Sequence, residues 1–269
     1  MKMHWIIAAA LCCAIAQPAQ IESSQDLVGR LTPQQKQQFD LASQAFDSQH
    51  YAGGLSAFKA LLQELPGDPV LSKFAAESAL NSGNATFAVD TLQPVAQTNP
   101  DDWQATALLA RGYAATGDKK ARDVAMAHML ELRQKGVTPP NMQAYILERI
   151  KIGDSTLVIR PSLVPWGPYK VYVLGQFMNA QGQIFLRMTL ESPDSDQNLF
   201  VQQHPKEAAA GLRFFSIDGY QQTGSNTQTH MTFGFYTGEP SYDTVREKFL
   251  AIAEKKESPI SSRSGLPVH

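Results

Sequence analysis

The chain has 269 residues, 43% hydrophobic and only 18% charged, which is too apolar for a chain that stays unfolded and long enough for one large domain or two modest ones. With 23 Lys+Arg against 25 Asp+Glu the formal net charge is −2, which removes the electrostatic case for nucleic acid, since its phosphates need a basic face. The 2 Cys residues, Cys12 and Cys13, are neighbours near the N-terminus.

Met1-Lys2-Met3-His4 starts with a positive charge and is followed by an apolar run from Trp5 to Ala16 that closes on the small–x–small triplet Ala14-Ile15-Ala16. A basic start, a short apolar core and such an ending are the marks of a secretory signal peptide over 1–16. The run is too short for a membrane span, which needs about 20 residues; an N-terminal anchor or buried helix is the alternative. Lipidation at Cys13 fits poorly, because Leu11 is misplaced for it. Cleavage after Ala16 would leave an exported chain, periplasmic or extracellular, with no Cys. Such a chain has no disulfide, thiolate nucleophile or Cys-based zinc site. Residues 17–34 read as a linker.

The next hundred residues repeat themselves. Pro66 and Pro100 are 34 apart, as are Gly83 and Gly117; Leu41, Ala75 and Leu109 keep the same step, and so do Ala42, Ala76 and Ala110. Units starting at Gln35, Pro69 and Trp103 align without a gap. Within the first unit, Phe39, Ala42, Ala45 and Phe46, then Phe58, Leu61 and Leu62, recur at helical spacing. Gly83 and Gly117 suit the left-handed turn between two helices, and Pro66 and Pro100 end the second helix of the first two units, whereas the third has Gln134 there.

This layout resembles the tetratricopeptide repeat over residues 35–136. The small eighth position is met by Ala42, Ala76 and Ala110, while the twentieth, usually Ala, is Gly54, Ala88 and then Arg122, a departure in the third unit. The resemblance implies a short solenoid whose concave face, built from the first helix of each unit, binds an extended peptide or partner helix. Carried over, that face comprises Phe39, Ser43 and Asp47, then Lys73, Glu77 and Asn81, then Ala107, Arg111 and Ala115. Lys73 and Arg111 could grip acidic groups, although the family's Lys-then-Asn carboxylate clamp is replaced by Phe39 and Ser43. Lys73 with Glu77 reads equally well as a solvated i,i+4 pair.

After Thr138-Pro139-Pro140 the pattern turns to strands. Residues 145–159 read as a hairpin around Gly153-Asp154, with a closing helix over Met142–Ile150 as the alternative. Leu163 to Pro168 reads as an irregular crossing. Strands are expected over Lys170–Phe177, Gln183–Glu191, Asn198–Gln202, Leu212–Ile217 and Thr229–Tyr236, with turns at Asp218-Gly219 and Gly224-Ser225-Asn226. Ser241 should cap a final helix to about Lys255. The fold expected is α+β: an all-α solenoid, then an antiparallel β domain over 141–255 with a terminal helix, and a disordered tail over 256–269.

Motifs of chemistry are sparse. The nucleophile elbow, the phosphate-binding loops and H-E-x-x-H are missing, and the histidines are never at i,i+4 metal spacing. Asp194, Asp196 and Asn198 open like a calcium loop, but Leu199 and Pro205 stand where Gly and Glu are needed. His230 near Asp218 suggests an acid–base pair, against a strand histidine bonded to backbone. Trp166, Tyr169, Tyr172, Tyr220, Tyr236 and Tyr242 read as core or as a sugar-binding face. The expectation is therefore a non-enzymatic exported scaffold without cofactor or metal that binds a protein partner through its concave face, with no nucleic acid and no membrane span in the mature chain. The alternative is ligand or carbohydrate binding by the β domain, the repeats serving as a tethering or dimerisation arm.

Overall fold

The structure is a computed structural model and describes residues 24–223 and 228–260. The signal-like segment 1–16, both cysteines, the Gly224-Ser225-Asn226 turn and residues 261–269 of the tail lie outside the described residues.

The first half is helical. After α1 (Ser24–Val28) come three antiparallel pairs: α2 (Pro33–Asp47) with α3 (Tyr51–Glu64), α4 (Pro69–Asn81) with α5 (Ala85–Thr98), and α6 (Trp103–Thr116) with α7 (Lys119–Gln134). Their starts are set by side-chain acceptors that satisfy otherwise orphaned N–H groups. Thr32 and Gln35 form a capping box, and Asp68, Asn84, Asp102 and Asp118 accept from the first turns of α4 to α7. Gly117, at φ 80°, takes the left-handed conformation between α6 and α7. Ala42, Ala76 and Ala110, the small residues of the repeat, are completely buried where helices meet. Residues 24–28, expected to be linker, instead form α1, because Leu27 finds a buried place in the core of the repeats.

The second half is one six-stranded antiparallel sheet in sequential order: β1 (Glu148–Ile152), β2 (Ser155–Trp166), β3 (Val171–Met178), β4 (Ile184–Glu191), β5 (Phe214–Gln222) and β6 (Gln228–Thr237). Between β4 and β5 lie α8 (Asp194–Gln203) and α9 (Pro205–Ala209); α10 (Tyr242–Ala253) follows, with Ser241 accepting from the Thr244 N–H. Val245, Phe249 and Ile252 of α10 pack on Leu157, Ile159, Val173, Met188, Leu190 and Ile217, which gives the sheet its core.

Three readings of the sequence are corrected. Asn198–Gln202 is part of helix α8 rather than a strand: only Phe200 is buried, Leu199 and Val201 stay exposed, and Asp194 and Asp196 favour a helix N-terminus in the first turn. The Asp218-Gly219 turn lies inside β5, where Gly219 is required because a Cβ there would come within 2.7 Å of the Phe233 ring. Residues 163–166, expected to be an irregular crossing, continue β2 past a register shift between Pro161 and Trp166. The hairpin around Gly153-Asp154 is present and pairs Ile152 with Ser155, so no closing helix forms over 142–150. At the other end of the chain, the Ile260 N–H donates to the Thr232 carbonyl, so the tail is placed at least that far.

The two halves share a third core in which Ala110, Ala125, Met129 and Leu132 meet Tyr145, Leu147 and Leu163. Beside it runs a polar clasp. Arg122 of α7 donates to Asp243 at 2.7 Å and lies over the Tyr242 ring at 4.8 Å, and Lys119 reaches Asp243 at 3.1 Å. Tyr242 and Arg246 both donate to Glu148 of β1. The third unit departs from the repeat at Arg122 because its neighbour there is the sheet domain rather than a further repeat.

Candidate functional site

On α4, residues 73, 77 and 81 are one helical turn apart and share a face; on α6, residues 107, 111 and 115 do the same. Both faces turn toward the segment that leads into β1. Between them lies a cavity of about 680 Å3 lined by Lys73, Phe74, Glu77, Trp103, Arg111 and Tyr145, among others. Arg111 also borders a second cavity of about 730 Å3, whose walls include Asn81, Arg149, Lys151, Asn179 and Arg246. The two form a groove with Arg111 at their junction, one wall helical and the other supplied by residues 142–151.

The groove's charges are unequally available. Lys73 is buried and donates to Asp102 at 2.7 Å, the same aspartate that caps α6. It is therefore bound to its own fold, and neither the gripping role nor the solvated pair with Glu77 describes it. Arg111 is buried too and donates to Asn81. Burial first, and then the charge of Arg149, lowers the affinity of Arg111 for its proton. Arg149 and Lys151 are exposed on β1. The Tyr145 hydroxyl is buried without a hydrogen-bond partner, and burial pushes it above its ordinary range. Such a hydroxyl costs free energy until something bonds to it.

Of the first unit's expected contacts, Phe39 is core: its ring packs edge-on against Phe58 at 6.0 Å and Phe74 at 5.6 Å. Neither it nor Ser43 nor the exposed Asp47 lines the two cavities; Glu77, Asn81, Ala107, Arg111 and Ala115 do, together with Lys73. Sequence reading missed the opposite wall, Tyr145, Arg149 and Lys151, because those residues belong to the other domain and carry no repeat signal.

A second polar cluster lies on the sheet, on the face turned away from α10. The His230 Nε2 lies 2.9 Å from Asp218 Oδ1, so the suspected pair exists and its partner is the carboxylate rather than backbone. Asp218 also accepts from Ser216 and, at 2.6 Å, from Thr232. Beside it, Glu191 accepts from Thr189 at 2.6 Å and Tyr220 at 2.8 Å. Burial, with the Asp218 charge adding to it, pushes the Glu191 carboxyl up to about 7. Burial and Glu191 also raise the Tyr220 hydroxyl.

The other candidates have ordinary roles. Asp194 and Asp196 begin α8, and Asp194 pairs with Lys170, so no calcium loop forms there. Trp166 donates to Ser162, Tyr172 packs on Phe215, and Tyr242 belongs to the clasp. Of this aromatic set, the Tyr169 and Tyr220 rings lie 6.3 Å apart. Among the described residues, no helix is long and apolar enough to cross a membrane.

Among known families, the tetratricopeptide repeat model matches residues 45–121. A solved structure to which the chain is similar is the Sgt2 TPR domain from Aspergillus fumigatus: 18% identity, 39% of this chain, 70% of that one, TM-score 0.36. No curated protein matches the chain.

Proposed function

The N-terminal half is a tetratricopeptide-repeat array, and from that premise we propose that the protein is an exported scaffold that holds an extended acidic segment of a partner protein in the groove between α4, α6 and residues 142–151. Stacked repeats of this kind present elongated binding surfaces. The observation that carries the reading is the groove itself, with Arg111 at its centre and Arg149 and Lys151 along one wall. Arginine and lysine side chains around a concave surface favour carboxylates and raise association rates. Export rests on the signal-like first sixteen residues.

The test is fluorescence anisotropy of the chain lacking residues 1–16 against acidic and basic labelled peptides about fifteen residues long. Acidic peptides should bind, more weakly at higher salt. Arg149→Glu with Lys151→Glu, both exposed, should weaken binding at least about tenfold without altering the fold. Undiminished binding by that double variant would sink the groove assignment. Export is tested separately by fusing residues 1–22 to a reporter active only outside the cytoplasm.

A further inference from the structure

We propose that Glu191, Asp218 and His230 form a binding site for a divalent transition-metal ion of zinc-like ligand preference.

The sheet builds this site from three adjacent strands. Glu191 is the last residue of β4 and pairs with Ser216; Asp218 pairs with Thr189 on one side and Thr232 on the other; His230 pairs with Tyr220. Along these strands the neighbouring residues Leu190, Ile217, Met231 and Phe233 face the α10 core, so strand alternation sends the three polar side chains to the opposite face. One ligand atom from each residue falls within 4.8 Å of the others. A tetrahedral zinc ion with ligands at about 2.1 Å needs donor atoms roughly 3.4 Å apart, so the gap closes with side-chain shifts of about an ångström.

The donor set suits the ion. One imidazole nitrogen and two carboxylates are ligands taken by zinc and its first-row neighbours, and three protein ligands leave a fourth position for water. The carboxylates are 2% and 1% exposed, whereas the His230 side chain is 42% exposed, so the site is buried on its inner side and reachable from solvent through the imidazole. The outer partners of a metal site are also present. Thr189 and Tyr220 donate to Glu191, Ser216 and Thr232 donate to Asp218, and the Tyr220 ring stacks on the imidazole at 4.8 Å. Such donors fix the orientation of ligating carboxylates.

Two other buried carboxylates, Asp102 and Glu148, each meet a Lys or Arg within 2.9 Å. Glu191 and Asp218 have only one imidazole beside them among the described residues, bonded to Asp218, and it carries at most one positive charge against two carboxylates. A dication balances the pair and displaces any proton held between them into solvent.

The experiment is a calorimetric Zn2+ titration of the chelator-treated chain lacking residues 1–16, at pH 7.5, repeated with Co2+ while visible absorption is followed. Saturable binding of one equivalent is expected, with cobalt bands of a low-coordinate site. His230→Gln, at a half-exposed position, should fold normally and weaken binding at least about tenfold, and Glu191→Gln should do the same. Absence of saturable binding overturns the proposal. So does binding that both variants leave unchanged, which would place the ion elsewhere; and if His230→Gln is unfolded, Glu191→Gln decides.

Discussion

Asp102 and Asp218 are both aspartates with almost no solvent exposure, 2% and 1%, but they stand in opposite electrostatic situations. In the helical half, Asp102 meets one lysine at 2.7 Å and caps α6 with its other oxygen, so its charge and hydrogen bonds are satisfied within the fold. In the sheet half, Asp218 lies beside a second buried carboxylate and a half-exposed imidazole. A closed pair leaves nothing to bind, while an unbalanced one keeps capacity for a cation. Burial of charge therefore does not mark a site by itself, and the balance of the immediate neighbours has to be read with it.

The difference can be broken by substitution. Lys73→Met should have the largest effect, because it strands Asp102 in a buried place; a loss of about 3–5 kcal/mol in urea unfolding is expected. Adding Asp102→Asn, which keeps a capping acceptor, should recover most of it. Next comes Arg122→Ala, which removes the charged hydrogen bond to Asp243 and the stacking on Tyr242 at the domain junction. A loss of about 2 kcal/mol is expected, with faster hydrogen exchange over residues 242–253. Glu191→Gln, measured with chelator, should be the mildest of the three. Removing one of two like charges is expected to leave stability unchanged or raise it by about 1 kcal/mol. A loss as large as that of Lys73→Met would show that the sheet cluster is as self-sufficient as the helical pair.

The same contrast explains what could be read from the chain. The repeats were legible because their contacts are short-range and periodic: Ala42, Ala76 and Ala110 announce the helix crossings by spacing alone. The strands of the second half, β3, β4 and β6 above all, follow from alternation. What stayed hidden depends on pairing between distant residues. Lys73 looks free in its own helix, and only the stacking of one unit on the next brings Asp102 to it. Phe39 holds a concave-face position by register yet packs into the core against Phe58 and Phe74. Asp218-Gly219 has turn composition, and only the Phe233 ring above Gly219 shows why a glycine belongs in a strand there. The Asp218–His230 pair was suggested by the sequence, but adding Glu191 to it required the register of three strands, which composition does not encode.

Between the closed pair and the open cluster stands the clasp at Asp243, whose side chain is 29% exposed. Hydrogen bonding to Arg122, then to Lys119, holds its carboxyl below the ordinary range of about 3.8. With the folded value below the unfolded one, the contribution is complete above the unfolded value and disappears as pH falls through the folded value. Asp243→Asn should therefore flatten the dependence of unfolding free energy on pH below about 4 while costing under about 1 kcal/mol at pH 7. Partial exposure also makes the clasp sensitive to salt. Half-molar salt should shrink the difference between wild type and Asp243→Asn and leave the cost of Lys73→Met largely intact, because a fully buried pair is screened far less. If salt reduced both equally, the Lys73–Asp102 pair would be wetter than its burial implies, and the distinction between closed and open charge would fail in the helical half first.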